Sequence, residues 1–200
     1  DCVDPESRDH LGRIRQLKKN YAISATFGNL FKIDNDEYVE TIASALARDD
    51  SFMHMIIGKG NHESIMSKFE KHNVRDRVLY IPFQRNIKPF IEMTDVYCAS
   101  FPYPGCLCEL ECMALGKPVV SMAWQERHHY NSGATVVGLP ECIAPKQDYR
   151  RYTDILINFV QDVSVRKRIG TRLLHRFNDS FSPRERAKRL ENLYHTIAGK

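Results

Sequence analysis

Short apolar runs rich in branched and aromatic residues alternate along this chain with longer stretches of helical periodicity. That alternation restricts the fold more than any other feature. The runs lie at 21–27 (YAISATF), 52–57 (FMHMII), 78–82 (VLYIP), 96–100 (VYCAS) and 118–122 (PVVSM). Each is about five to seven residues long, as strands buried on both faces are. Between them, 36–48, 63–73, 87–93 and 108–115 read as helices. In the first, Tyr38, Ile42, Ala45 and Leu46 share one face. Asp34 or Asn35 supplies its N-cap. Such alternation with short loops predicts an α/β fold, a Rossmann-like doubly wound parallel sheet with helices on both faces. After Met122 three helices are expected at 149–160, 165–177 and 183–196. Ser182-Pro183-Arg184-Glu185 announces the last of them with an N-cap, a proline at N1 and a glutamate at N3. Its packed face is expected to be Leu190, Leu193, Tyr194 and Ile197. Residues 1–20 read as an N-terminal linker or helix, with a helix at 11–17, and 21–200 as one domain.

Composition narrows the function classes. With 200 residues, 42% of them hydrophobic, the chain can bury a full core. No apolar run approaches the roughly 20 residues of a membrane span. Lys plus Arg at 29 against Asp plus Glu at 25 leaves +4. That excess suits an anionic small ligand and is too weak to indicate nucleic acid. The opening Asp-Cys-Val-Asp-Pro-Glu is expected to be the start of a fragment or processed piece. The six cysteines include Cys106-x-Cys108-x3-Cys112, which lacks the paired spacing of zinc knuckles. They read as free thiols in a reducing compartment, so a cytoplasmic location is expected and no metal site is.

In a doubly wound sheet, ligands meet the carboxyl ends of the strands, and four segments fall there. The turn Phe27-Gly28-Asn29-Leu30-Phe31-Lys32 brings the Lys32 ammonium near a helix N-terminus, an arrangement suited to a diphosphate. The stretch 101–111 joins Gly105, which permits close backbone approach, to a helix carrying Glu111 about one turn in. From there a carboxylate can accept both hydroxyls of a ribose, or simply complement the helix dipole. Phe83 and Gln84 follow the third strand, where a polar loop can read a base edge. His128 stands in 123–131 (AWQERHHYN) as a phosphate or sugar donor, or as a surface histidine. G-x-S-x-G, the Walker lysine loop, G-x-G-x-x-G and H-E-x-x-H are all absent.

Three stretches, 27–34 (FGNLFKID), 101–122 and 138–144 (GLPECIA), resemble in order and spacing the donor-binding half of a GT-B glycosyltransferase. Within that class the sequence is most similar to the O-GlcNAc transferase and SPINDLY family, together with the bacterial adhesin N-glucosyltransferases. The resemblance runs from about Ala22 to Thr196. It implies a UDP-sugar donor, an inverting transfer of a hexose or N-acetylhexosamine to a protein side chain, and no cofactor or metal. It also implies an N-terminal half that completes the cleft. Lys32 then offsets charge on the departing diphosphate as the catalytic residue. Asn29 faces the donor, Phe83 and Gln84 meet the uracil, Glu111 holds the ribose, and His128 lies near the phosphates. Gly105 and Cys106 belong to the phosphate loop. Two departures stand out. Cys106-Leu107-Cys108 replace the family's hydroxyl or amide side chains, leaving backbone N–H groups as donors there. Tyr103 occupies the position of a second glutamate that retaining GT-B enzymes carry. The rival expectations are a retaining hexosyltransferase acting on lipid or polysaccharide, and a non-catalytic donor domain that binds a partner protein.

Overall fold

The computed structural model describes residues 5–123 and 133–198. Six strands, β1 (Ala22–Asn29), β2 (Phe52–Lys59), β3 (Val78–Pro82), β4 (Val96–Cys98), β5 (Val119–Met122) and β6 (Ile143–Ala144), form one sheet in the order β3-β2-β1-β4-β5-β6. Every pairing is parallel. The order reverses between β1 and β4, which opens a crevice at their carboxyl ends. The predicted doubly wound sheet is thus present, and its five foreseen strands agree with the structure to within two residues at either end. β6, two residues long, is too short to carry a periodic signal.

Helices cover both faces: α1 (Pro5–Leu17), α2 (Asp36–Arg48), α3 (His62–Lys71), α4 (Lys88–Met93), α5 (Leu107–Ala114), α6 (Gly133–Val137), α7 (Tyr149–Gln161), α8 (Val163–Ser180) and α9 (Pro183–Ala198). α2 buries Tyr38, Ile42, Ala45 and Leu46, the face its 3.6-residue period selects. Of the two candidate caps, Asn35 does the work, its Oδ1 accepting from Tyr38 N at 2.8 Å. Asp34 instead pairs with Lys68 at 3.1 Å and accepts from Ser64 Oγ at 2.8 Å. α1 sends Leu11 and Ile14 into the core. Lys18, just beyond it, pairs with Asp95 at 2.6 Å, and the same carboxylate oxygen accepts from Ile23 N. α7 seals the other half, with Tyr152 fully buried and donating to Ala99 O at 2.9 Å. α8 crosses the end of α5 so closely that a methyl on Gly170 would lie 2.0 Å from Gly116 O.

The last helix corrects one expectation. Leu190, Leu193, Tyr194 and Ile197 do share a face of α9, but all four are exposed and α9 buries none of its residues. Its neighbour among the described elements is α8. Amphipathic spacing specifies which face of a helix is apolar; it does not specify that something covers that face.

Candidate functional site

At the crevice, Gly28 and Gly58 are register partners on β1 and β2, and Gly28 adopts φ +130°. With no side chain on either, the strands end as a low floor. The chain then turns through a 3₁₀ segment, Leu30–Lys32, capped by Asn29, whose Oδ1 accepts from Phe31 N at 3.4 Å. Leu30 is buried and anchors the turn, while Lys32 reaches across the crevice. Its Nζ donates to Pro104 O at 3.3 Å. The ammonium therefore sits between the loop after β1 and the loop after β4, where an incoming anion would meet it.

Asn35 locks the two loops together. Its Nδ2 donates to Lys32 O at 3.1 Å and to Phe101 O at 3.2 Å while Oδ1 caps α2. Sequence reasoning had this residue only as a cap; the second duty depends on a partner 66 positions away. Phe101 is buried against Tyr38, Tyr149 and Tyr152, and Ser100 Oγ donates to Tyr103 O at 2.6 Å. The loop is thus fixed from below while its outer rim carries the exposed pair Phe31 and Tyr103, with ring centroids 5.9 Å apart.

Gly105 then passes within van der Waals reach of Tyr97. A methyl there would lie 3.2 Å from the phenol oxygen. Cys106 enters α5 with φ +23° and no side-chain capping bond. Positive φ in a residue with a Cβ costs about 1–3 kcal/mol, part of which glycine returns through its looser unfolded chain. Cys106→Gly is therefore expected to stabilise the fold by about 1 kcal/mol in urea denaturation. An unchanged or lowered midpoint would show that the turn carries no such strain.

Phe27, Gly28, Ile57, Gly58, Phe83, Gln84, Cys108 and Glu111 line one cavity of about 180 Å³. Three foreseen site residues, Phe83, Gln84 and Glu111, thus meet there, beside the turn that carries Asn29 and Lys32. Burial raises the Glu111 carboxyl above its usual value and pushes the Cys108 thiol up to about 11. Cys108 is accordingly a neutral wall, not a nucleophile. Gln84 is more committed than its sequence implied: Ser7 Oγ donates to its Oε1, and its Nε2 donates to Pro82 O at 3.1 Å. A base at this loop would therefore meet the exposed Phe83 ring and main-chain groups first. His128 lies outside the described residues. A larger groove of about 610 Å³ lies on the helical flank between α2 and α7, lined by Glu37, Glu40, Arg48 and Tyr149. There Arg48 is paired with Asp154 at 2.7 Å, and the groove gathers none of the residues at the strand ends.

The sequence reading missed Glu109. Its side chain is wholly enclosed, and neither carboxyl oxygen has a hydrogen-bond partner among the described residues. Burial raises it to about 7 against the pull of Lys32. Nothing in the pattern of α5 separates Glu109 from an ordinary first-turn glutamate that faces solvent. Among the described residues, Cys98, Cys106, Cys108, Cys112 and Cys142 form no disulfide, and no helix is long and apolar enough to cross a membrane.

A cleft at the switch point of a parallel sheet, with a lysine and a helix start on its lips, is the feature of open α/β domains at which ligands are generally bound. The family is given by sequence. The profile of the glycosyl transferases group 1 matches residues 25–162, and the chain belongs to that family. None of the curated protein sequences matches the chain significantly. Solved structures share its fold. An O-GlcNAc transferase mutant from Thermobaculum terrenum superposes with a TM-score of 0.72 at 20% identity, over 89% of this chain and 36% of its own. S. aureus TarM, in complex with fondaparinux, alpha-GlcNAc-glycerol and UDP, gives 0.75 at 15% identity over 88% and 36%. Anabaena HepE, in complex with UDP and glucose, gives 0.72 at 16% identity over 99% and 53%. The chain therefore spans about a third to a half of the length of these proteins.

Proposed function

We propose that this chain is the UDP-sugar-binding half of an inverting glycosyltransferase that passes a hexose or N-acetylhexosamine to a protein side chain. The observation that carries the reading is the convergence of Phe83, Gln84 and Glu111 on one cavity beside Lys32. In this reading the nucleoside lies over Gly28 and Gly58, with the base toward Phe83 and the ribose hydroxyls on Glu111. The diphosphate lies between Lys32, the Gly105–Cys106 turn and the start of α5. As the acceptor atom bonds to the anomeric carbon and the bond from that carbon to the diphosphate oxygen breaks, negative charge grows on the departing UDP, and the Lys32 ammonium with the helix dipole offsets it. Asn29 holds the turn that aims Lys32. Tyr103, standing where retaining relatives carry a carboxylate, offers no group of that kind, which favours inversion. A second half of the enzyme would bring the acceptor and the group that activates it. His128 is proposed as a further contact near the phosphates.

Calorimetric titration of UDP into the 200-residue chain tests the binding step. A charge-assisted hydrogen bond contributes about 1.5–3 kcal/mol, so Lys32→Ala is expected to weaken UDP about 10- to 100-fold. Glu111→Ala should weaken UDP but not inorganic diphosphate, which has no ribose. Absence of UDP binding would refute the reading. In the complete enzyme, the anomeric configuration of the product separates an inverting transfer from a retaining one.

A further inference from the structure

Glu109 is the third residue of α5, where a glutamate commonly turns back to bond the helix cap. Here it turns inward instead. Its carboxyl group is packed so tightly onto the first residue of α6 that a methyl on Gly133 would lie 2.1 Å from Oε1. Both oxygens are enclosed without a partner among the described residues. The ionisable groups whose fields reach it among the described residues are Lys32 from the loop after β1, Tyr97 from β4, and Cys106, Cys108 and Cys112 at and within α5. α6, which meets it through Gly133, carries no ionisable side chain. Burial raises the phenol and all three thiols, so they are neutral near pH 7. Among the described residues, the charge left facing Glu109 is the Lys32 ammonium, the same group that meets the diphosphate in the proposed function.

With its carboxylate ionised, Glu109 competes with a diphosphate for the field of the Lys32 ammonium. We propose that Glu109 is a positioning residue that acts through Lys32: the site accepts a nucleoside diphosphate when the Glu109 carboxyl carries its proton, which leaves the lysine to the phosphates. The proton comes from solvent on binding and returns to it on release, and no bond other than O–H is made or broken. The inference rests on the reading of this crevice as a diphosphate site. The enclosure of the carboxyl is independent of that reading, since it is a feature of the fold itself. The carboxyl stands close to half-protonated at neutrality, so the coupling falls in the physiological range.

UDP-glucose and UDP-N-acetylglucosamine are suitable probes, because their diphosphates have no ionisation near neutrality. Each would be titrated calorimetrically into the 200-residue chain from pH 6 to pH 8.5, in two buffers of different protonation enthalpy. For one coupled proton the affinity should fall with a slope approaching tenfold per pH unit above about pH 7. The heat should differ between buffers by an amount equivalent to uptake of up to about one proton. Glu109→Gln mimics the protonated acid, so it should bind with the wild-type pH 6 affinity at every pH and show no buffer-dependent heat. Wild-type binding that ignores both pH and buffer would overturn the proposal. So would a pH dependence that survives in Glu109→Gln, or a folded Glu109→Gln that no longer binds. Failure of both probes to bind either protein at any pH would overturn the diphosphate reading itself, and this inference with it.

Discussion

Acidification from pH 7 to pH 4 is expected to cost the wild-type protein about 3 kcal/mol more stability than it costs a His54→Leu variant. His54 lies in the middle of β2, fully buried, with Nδ1 2.9 Å from Ser24 Oγ and Nε2 without a partner. The rings of Tyr38 and Phe69 lie 6.4 and 6.5 Å away. Enclosure lowers its ionisation from 6.5 to about 3. The unfolded chain therefore binds a proton through a range in which the native state refuses it. Stability from this group is full above about pH 6.5 and is lost as the pH falls toward 3. Glu109 works in the opposite sense. The folded state keeps its proton up to about 7, while the unfolded carboxyl releases it near 4.5. Its contribution is full below 4.5 and is lost as the pH rises through 7. Between about 4.5 and 6.5 the two slopes oppose each other and the stability curve flattens. Below 4.5 the histidine acts without that offset. Urea denaturation of both proteins at several pH values reads the difference directly, and parallel losses in wild type and variant would exclude His54 as the source.

Gly58→Ala should destabilise the fold by about 3 kcal/mol, the upper part of the usual range for overpacking, because the obstruction is main chain. The added carbon would lie 1.8 Å from Gly28 O and 3.2 Å from a methyl of Leu30. No rotamer relieves a clash with a carbonyl of the neighbouring strand, so β1 and β2 must separate at their carboxyl ends. With a denaturant slope of about 2 kcal/mol/M, the urea midpoint should drop by roughly 1.5 M. Gly12→Ala is the contrasting case: it lies within α1 with nothing near the added methyl, and it should gain up to about 1 kcal/mol from helix propensity. Since Gly58 floors the cavity, its variant should also bind UDP more weakly than its residual stability alone would explain. A midpoint within 0.3 M of wild type, an allowance of roughly a fifth of the predicted shift, would mean that the strands yield without cost.

The sheet was legible because its strands, buried on both faces, must be written in branched and aromatic residues, and because each connecting helix carries its own period. That Lys32, Phe83 and Glu111 gather at one edge was legible for a different reason: turns after parallel strands converge there whatever their sequence. Features that depend on a distant partner were not. Asn35 bonding to Phe101 O, Ser7 occupying Gln84, and Gly133 making room for Glu109 each join segments far apart in the chain. The stripe on α9 errs for the same reason, since a local pattern says nothing of what lies opposite. His54 was readable as a strand residue, but its enclosure arises from packing by α2 and α3, which periodicity does not describe.

β1 is joined to β2 through eight register pairs and to β4 through only two. The sheet thus joins a long-paired block, β3-β2-β1, to a second block, β4-β5-β6, whose own pairings are as short as the join between the two, and the crevice lies at that junction. Phe83 and Lys32 belong to the first block and Glu111 to the second. Any molecule gripped by all three would rivet the long-paired block to the sparsely paired one, tying the mechanical cohesion of this domain to occupancy of the crevice.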